Sequence, residues 1–128
     1  MFEDGHVKLG DFGLSKQNVD ANNKTRTICG TPEYIAYEIY HKDSYDENVD
    51  WWSMGILVFE LCTFQTPFYA NNSTEIIQNI LSNDVTYPST MKKEAKQMIS
   101  GFLQRDPKKR LGNIHSPHGS LKDQPFFK

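Results

Sequence analysis

Residues 7–14 read Val-Lys-Leu-Gly-Asp-Phe-Gly-Leu, and residues 30–38 read Gly-Thr-Pro-Glu-Tyr-Ile-Ala-Tyr-Glu. A polar stretch, 15–27, lies between them and is rich in residues that form turns. It predicts a surface loop, because it has few apolar side chains to bury. A three-residue motif alone is a weak signal. Two characteristic segments in this order and at this spacing are a strong one.

The residues before the first segment predict the end of a β-hairpin over 2–9. Asp4-Gly5 is a pair that favours tight turns. Val7 and Leu9 alternate with polar neighbours, which is typical of a short strand.

The remainder of the chain predicts helices. Residues 49–62 are apolar on nearly all sides, so we expect a central helix covered on every face, with Cys62 in the core. Residues 72–75 have the pattern of a capping box before an amphipathic helix. Apolar residues recur at helical spacing over 91–103. Residues 106–112 begin with Asp-Pro and end with Gly, which predicts a short helix.

The composition limits the class of protein. A length of 128 residues and a hydrophobic content of 38% suit one packed domain. A formal charge of −2 argues against a nucleic-acid or anionic-membrane surface. Two cysteines are too few for a disulfide scaffold, so we expect a cytoplasmic protein. We expect no transmembrane segment, because no apolar run reaches the roughly 20 residues that one requires.

The two opening segments resemble motifs of the protein kinases. Asp11-Phe12-Gly13 is similar to their magnesium-binding motif, and 30–38 is similar to the end of their activation loop, normally closed by Ala-Pro-Glu. Residues 26–34 and the Asp-Trp-Trp-Ser-Met-Gly sequence at 50–55 resemble the AGC group of Ser/Thr kinases. That group includes the cAMP-dependent kinase and protein kinase B.

The resemblance covers the whole chain and implies a protein kinase-like α+β fold. This chain is then the mainly α-helical C-lobe portion with a short N-terminal β-hairpin remnant. The strand and Asp-Phe-Gly segment would occupy 1–14, the activation segment 15–38 and the C-lobe helices 49–128. The 128 residues contain no Gly-rich loop, strand lysine or His-Arg-Asp loop. We therefore expect the N-lobe and catalytic loop to be absent, and this fragment alone to be inactive.

The resemblance implies transfer of phosphate from ATP to Ser or Thr residues of a protein substrate. Asp11 would bind Mg²⁺, which prefers hard carboxylate oxygens. Phe12 would set the active or inactive geometry, and Gly13 would let the backbone turn at the ATP site. Thr31 matches the threonine that supports the missing catalytic aspartate.

A second set of expectations concerns activation. Thr27 matches the threonine that carries the activating phosphate in the AGC group, and Lys16 matches a lysine that contacts this phosphate. A phosphate can order a loop by pairing with cations. The resemblance therefore implies an upstream activating kinase as a partner. The alternative is that Thr27 is an ordinary loop residue.

Substrate recognition is assigned to four positions. A carboxylate within an apolar helix is costly unless it is paired. By resemblance, Glu60 binds an arginine upstream of the phosphorylated residue. Its alternative is an internal ion pair with a basic residue of the missing half. Ile28, Pro32 and Ile35 match the apolar pocket for the substrate residue that follows the phosphorylated one. Core packing is the alternative for these three, and the two roles are compatible.

Four positions carry structural expectations. In the family, Glu38 forms a buried ion pair with an arginine that matches Arg110. Asp50 begins the central helix, where a carboxylate is favourable near the helix N-terminus, and by resemblance it holds the backbone of the catalytic loop. Trp52 belongs to the same pattern. Tyr37 departs from the family, which has proline there, and this leaves the conformation of the turn open.

Two functions from different classes follow. The first is ATP-dependent phosphorylation of protein Ser or Thr residues in basic sequence contexts, by a longer AGC-type kinase. The second is a noncatalytic pseudokinase or protein-interaction half-lobe, if the chain is complete as given. In either case we expect the isolated chain to be poorly soluble or molten, because its central helix would lack cover.

Overall fold

The computed structural model describes residues 5–10, 12–13, 15, 30–41 and 44–128. The described residues form four α-helices joined by loops and 3₁₀ turns. The helices are α1 (Tyr37–Tyr40), α2 (Asn48–Thr63), α3 (Ser73–Ser82) and α4 (Lys93–Phe102). The 3₁₀ turns are Pro32–Tyr34, Pro107–Lys109, Leu121–Asp123 and Pro125–Phe127.

The β-hairpin expected at the start of the chain is not formed over the residues described there. Residues 5–10 have no strand and are exposed to solvent, with Val7 and Leu9 each 84% exposed. An isolated strand leaves its backbone groups unpaired, and no neighbouring strand lies in the described part of the chain. Alternation of polar and apolar residues was therefore insufficient to form a strand here.

Helix α2 is central and separates two apolar clusters. Its consecutive tryptophans pack in different clusters: Trp51 stacks on Phe102 of α4, with ring centroids 6.1 Å apart, and Trp52 stacks on Phe68 at 5.9 Å. A methyl group at Gly55 would lie 2.7 Å from Cβ of Phe102. This glycine therefore allows α2 and α4 to pack closely.

Helices α3 and α4 begin near the predicted places. The side chain of Asn72 accepts a hydrogen bond from the Glu75 N–H at 2.9 Å, which caps α3. This helix packs on α1 and on the Pro32–Tyr34 turn. After α4, the Asp106 side chain caps the Pro107–Lys109 turn by accepting from the Lys108 N–H at 3.0 Å.

One face of α2 is uncovered in the described structure. Met54, Leu57 and Leu61 are 38%, 40% and 70% exposed, respectively. Cys62 is also exposed, so the expectation that it lies in the core is wrong. The reason is that the described elements pack on only part of this helix, although its sequence is apolar on nearly all sides.

Candidate functional site

A buried ion pair joins the end of the 30–38 segment to the C-terminal part of the chain. Arg110 donates from Nη1 to Oε1 of Glu38 at 2.8 Å and from Nη2 to Oε2 at 2.9 Å. Arg110 is 0% and Glu38 is 4% exposed. The structure thus brings together two residues that are 72 positions apart in sequence. The geometry is the two-pronged arrangement that gives arginine–carboxylate pairs their strength.

The remaining donors of the Arg110 guanidinium are also satisfied. Nη1 donates to the backbone oxygen of Asn48 at 2.7 Å, and Nε and Nη2 donate to that of Gln104 at 3.1 and 3.0 Å. The ring of Trp52 lies 5.3 Å from the guanidinium carbon. Every guanidinium donor of Arg110 is therefore paired, and the side chain links the segments that contain Glu38, Asn48 and Gln104.

Tyr37 occupies a position that suits the proline found in the family. It is the first residue of α1, where a helix does not use the backbone N–H. The preceding Ala36 has φ −68° and ψ 151°, the conformation favoured before proline. The tyrosine ring stacks on His41 at 5.4 Å and lies 5.6 Å from the guanidinium carbon of Arg105. The turn therefore keeps the expected backbone shape, and the tyrosine adds contacts.

The Pro32–Tyr34 turn is held against α1 and α2 by side-chain hydrogen bonds. Ser53 of α2 donates to the backbone oxygen of Tyr34 at 3.0 Å. Tyr40 donates to the backbone oxygen of Pro32 at 2.9 Å. These bonds fix the position of Glu33 and Tyr34 relative to Glu60.

The carboxylate of Glu60 is oriented by a tyrosine rather than by a cation. The hydroxyl of Tyr34 donates a hydrogen bond to Oε2 of Glu60. Burial, the hydrogen bond to Glu60 and the negative charges of Glu60 and Glu33 raise the pKa of Tyr34 to about 12. Tyr34 is therefore protonated at neutral pH and remains a donor. In the described part of the chain, neither glutamate is paired with a cation.

These two glutamates line one open pocket of about 430 Å³. Glu33 accepts a hydrogen bond from the Thr66 hydroxyl at 2.9 Å, which fixes one of its carboxylate oxygens. The full lining is Glu33, Glu60, Thr63, Phe64, Gln65, Thr66 and Tyr69. A negative pocket without an internal cation can bind a basic side chain.

Among the pocket residues, only Glu60 was predicted from the sequence to bind substrate. Glu33 and Tyr34 lie inside the 30–38 segment. The carboxylate and the hydroxyl of these two residues were the sequence features that could have indicated the site. No sequence spacing indicated that the loop at 63–69 would contribute the opposite wall. That wall exists because α2 ends at Thr63 and the following turn folds back toward Glu33.

The other expected site residues that the structure describes do not line this pocket. Thr31 is exposed and precedes the Pro32–Tyr34 turn, whereas Ile35 is 7% exposed and belongs to the core beside α2. Asp50 lies at the surface in the first turn of α2, where the surrounding protein atoms partly desolvate its carboxylate and raise its pKa. Ile35 therefore has a packing role, and Asp50 remains open to a partner.

Residues around the Asp-Phe-Gly motif are only partly described. Phe12 and Gly13 are exposed. Asp11, Lys16, Thr27 and Ile28 lie outside the described residues, and so do the expectations attached to them. Within the described ranges, no group of three or more His, Cys, Asp or Glu side chains is arranged to hold a metal ion.

Comparison with known proteins identifies the family. A family model described as "Protein kinase domain" matches residues 1–127. The chain therefore belongs to the protein kinase domain family, as its two motifs indicated.

Within the same described ranges, the helices are too short or too polar to cross a membrane.

Individual relatives show which group of protein kinases this chain resembles. The chain is 42% identical over 127 residues to protein kinase C epsilon type of Oryctolagus cuniculus, and 38% identical over 125 residues to RAC-beta serine/threonine-protein kinase of Rattus norvegicus. It is 44% identical over 123 residues to serine/threonine-protein kinase Sgk1 of Fundulus heteroclitus. These relatives are AGC kinases, which confirms the resemblance to that group. The matches cover 98%, 98% and 96% of this chain but only 17%, 26% and 28% of the relatives.

Proposed function

We propose that the protein carrying this chain is an AGC-type kinase that transfers phosphate from ATP to Ser or Thr residues in basic sequence contexts. This chain would supply the end of the activation segment and the helical substrate-binding lobe. The pocket formed by Glu33 and Glu60 carries the proposal. Its two carboxylates are uncompensated by described cations, and Tyr34 holds one of them in place.

The proposed preference for substrates with basic residues follows from the negative charge of this pocket. Tyr34 donates to Oε2 of Glu60, and no described group donates to Oε1. An arginine side chain can donate two parallel hydrogen bonds to a carboxylate of this kind. A substrate with arginine upstream of its Ser or Thr would be held with the correct register.

The other roles inferred from the resemblance belong to the same proposal. Asp11 supplies the carboxylate for Mg²⁺, and the metal would neutralise the phosphates of ATP. An upstream kinase would phosphorylate Thr27, and Lys16 would pair with the phosphate. Thr31 supports the catalytic aspartate, and Ile28 and Pro32 contact the substrate. We place the protein in the cytoplasm, where the free thiols of its two cysteines would remain reduced.

The test is peptide phosphorylation by the longer protein. Glu60→Gln removes one charge, and loss of a charge-assisted hydrogen bond costs about 1.5–3 kcal/mol. We therefore expect kcat/KM for an arginine-containing peptide to fall roughly ten- to a hundredfold. Glu94→Gln is the matched control, because Glu94 is exposed on α4 and lies outside the pocket.

A second variant separates catalysis from recognition. Asp11→Asn should abolish most turnover of every peptide, whereas Glu60→Gln should affect arginine-containing peptides selectively. Phosphate transfer unchanged by Asp11→Asn would remove Asp11 from the proposed chemistry. A longer protein that transfers no phosphate under any condition would favour the noncatalytic alternative.

A further inference from the structure

Phe64 ends helix α2 in a backbone conformation that disfavours a side chain. Its φ and ψ are 61° and 18°, and its N–H donates to the backbone oxygen of Glu60 at 2.7 Å. Among the described residues it is the only one other than glycine with positive φ. Glycine is the usual choice at such helix ends, because a β-carbon is crowded there. The side chain of Phe64 therefore works against the local fold.

The Phe64 ring contributes little to the core. It is 93% exposed, the highest exposure among the large hydrophobic residues of the described chain. Apolar side chains stabilise a fold by leaving water, and this ring has hardly left it. Within the described part of the chain, neither the backbone nor the packing accounts for an aromatic residue at this position.

The position of Phe64 suggests a different role. It lines the acidic pocket together with Glu33, Glu60 and Tyr69, which is itself 54% exposed. Carboxylates combined with an aromatic face form an environment suited to a guanidinium group, which can pair with the acids and stack on the ring. An ammonium group is compact and strongly hydrated, and gains less from the flat aromatic surface.

We propose that Phe64 is an aromatic wall of this pocket and that it makes the site select arginine over lysine in the substrate. This inference rests on the proposed function, because it assigns the pocket to a substrate side chain. The two glutamates provide the negative charge, and Phe64 distinguishes between the two kinds of cation. It is thus a specificity-determining residue.

The experiment uses the longer protein and two peptides that differ only in arginine or lysine upstream of the target Ser. Phe64→Gly removes the ring and suits the left-handed backbone, so misfolding is not expected. The ratio of kcat/KM for the arginine peptide to that for the lysine peptide should fall about two- to fivefold, the effect of losing an exposed cation–π contact. Phe64→Tyr should retain the ratio.

Ile114→Ala provides the matched control, because Ile114 is 91% exposed and lies outside the pocket. It should leave the ratio unchanged. An unchanged ratio in Phe64→Gly would overturn the proposal. So would an equal loss for both peptides, or a loss that depends on apolar peptide residues instead of arginine.

A binding measurement keeps this inference distinct from the proposed function. Fluorescein-labelled arginine and lysine peptides are titrated with the longer protein and followed by fluorescence anisotropy without ATP. Selective arginine binding that depends on Phe64, without phosphate transfer, would overturn the kinase activity and support the pocket assignment. Phosphate transfer with an arginine preference independent of Phe64 would give the opposite result. No binding and no transfer would overturn both.

Discussion

Replacing Arg110 with methionine is expected to release the 30–38 segment from the C-terminal part of the chain. The methionine has a comparable apolar length but no donors, so it removes both hydrogen bonds to Glu38. The carboxylate of Glu38, 4% exposed, would remain in a site without a counter-ion. The backbone oxygens of Asn48 and Gln104 would lose their arginine donors as well.

The magnitude follows from the burial of the pair. Removing one partner of a buried ion pair costs about 3–5 kcal/mol, because the other charge is left unpaired. The total stability of a domain is about 5–15 kcal/mol, so this loss is a large share of it. At about 1.4 kcal/mol for each factor of ten, protection from exchange should fall roughly a hundred- to several-thousandfold.

Hydrogen exchange of the longer protein, resolved by peptide mass spectrometry, measures this loss where it occurs. Peptides that cover α1 and the start of α2 should lose protection. Lys109→Met is the control: the neighbouring lysine is 66% exposed, and its contact with Asp106 at 3.9 Å is expected to contribute only about 0–1 kcal/mol. The reasoning would be refuted if Arg110→Met kept protection within threefold of wild type, or if both variants lost it equally.

Three further outcomes are expected from the same structure. In Gly112→Ala, a residue with left-handed backbone (φ 99°) gains a β-carbon 2.3 Å from the Trp51 ring, so the melting temperature should fall. Gly119→Ala is the control, because the backbone is also left-handed there but nothing lies within 4 Å of the new β-carbon. Equal losses of melting temperature in the two variants would exclude the clash. Asn72→Ala removes the α3 cap and should cost about 1 kcal/mol in urea unfolding, whereas no change would mean that the cap is unimportant. Because the pKa of Tyr34 is raised from 10.0 to about 12, its contribution to stability is fully present below pH 10 and is lost as the pH rises toward 12. Tyr34→Phe should therefore reduce the loss of stability at alkaline pH. An unchanged dependence of stability on pH would contradict this role of Tyr34.

Local patterns in the sequence predicted the helices well. The apolar run that predicted 49–62 became α2, Asn48–Thr63, and the capping box at 72–75 predicted the first turn of α3. These signals succeed because helix formation and capping depend on residues a few positions apart. The family motifs were equally recognisable in the sequence, because each is a short segment and the two occur in a fixed order.

The failures concern features that require distant partners. Val7 and Leu9 alternate as strand residues do, yet a strand needs a neighbour that their own sequence does not specify. Cys62 lies in an apolar helix, but its exposure is decided by which elements pack on α2. The pocket wall contributed by Phe64 was likewise invisible, because the backbone direction at the end of α2 places it.

The pairing of Glu38 with Arg110 also has a consequence for synthesis on the ribosome. The two residues are 72 positions apart, and translation proceeds at roughly 5–20 residues per second, so Glu38 emerges about 4–14 s before its partner. During that interval its carboxylate has no guanidinium to accompany it into the interior. The 30–38 segment therefore cannot complete its buried pairing until Arg110 has been synthesised, well after the whole of α2.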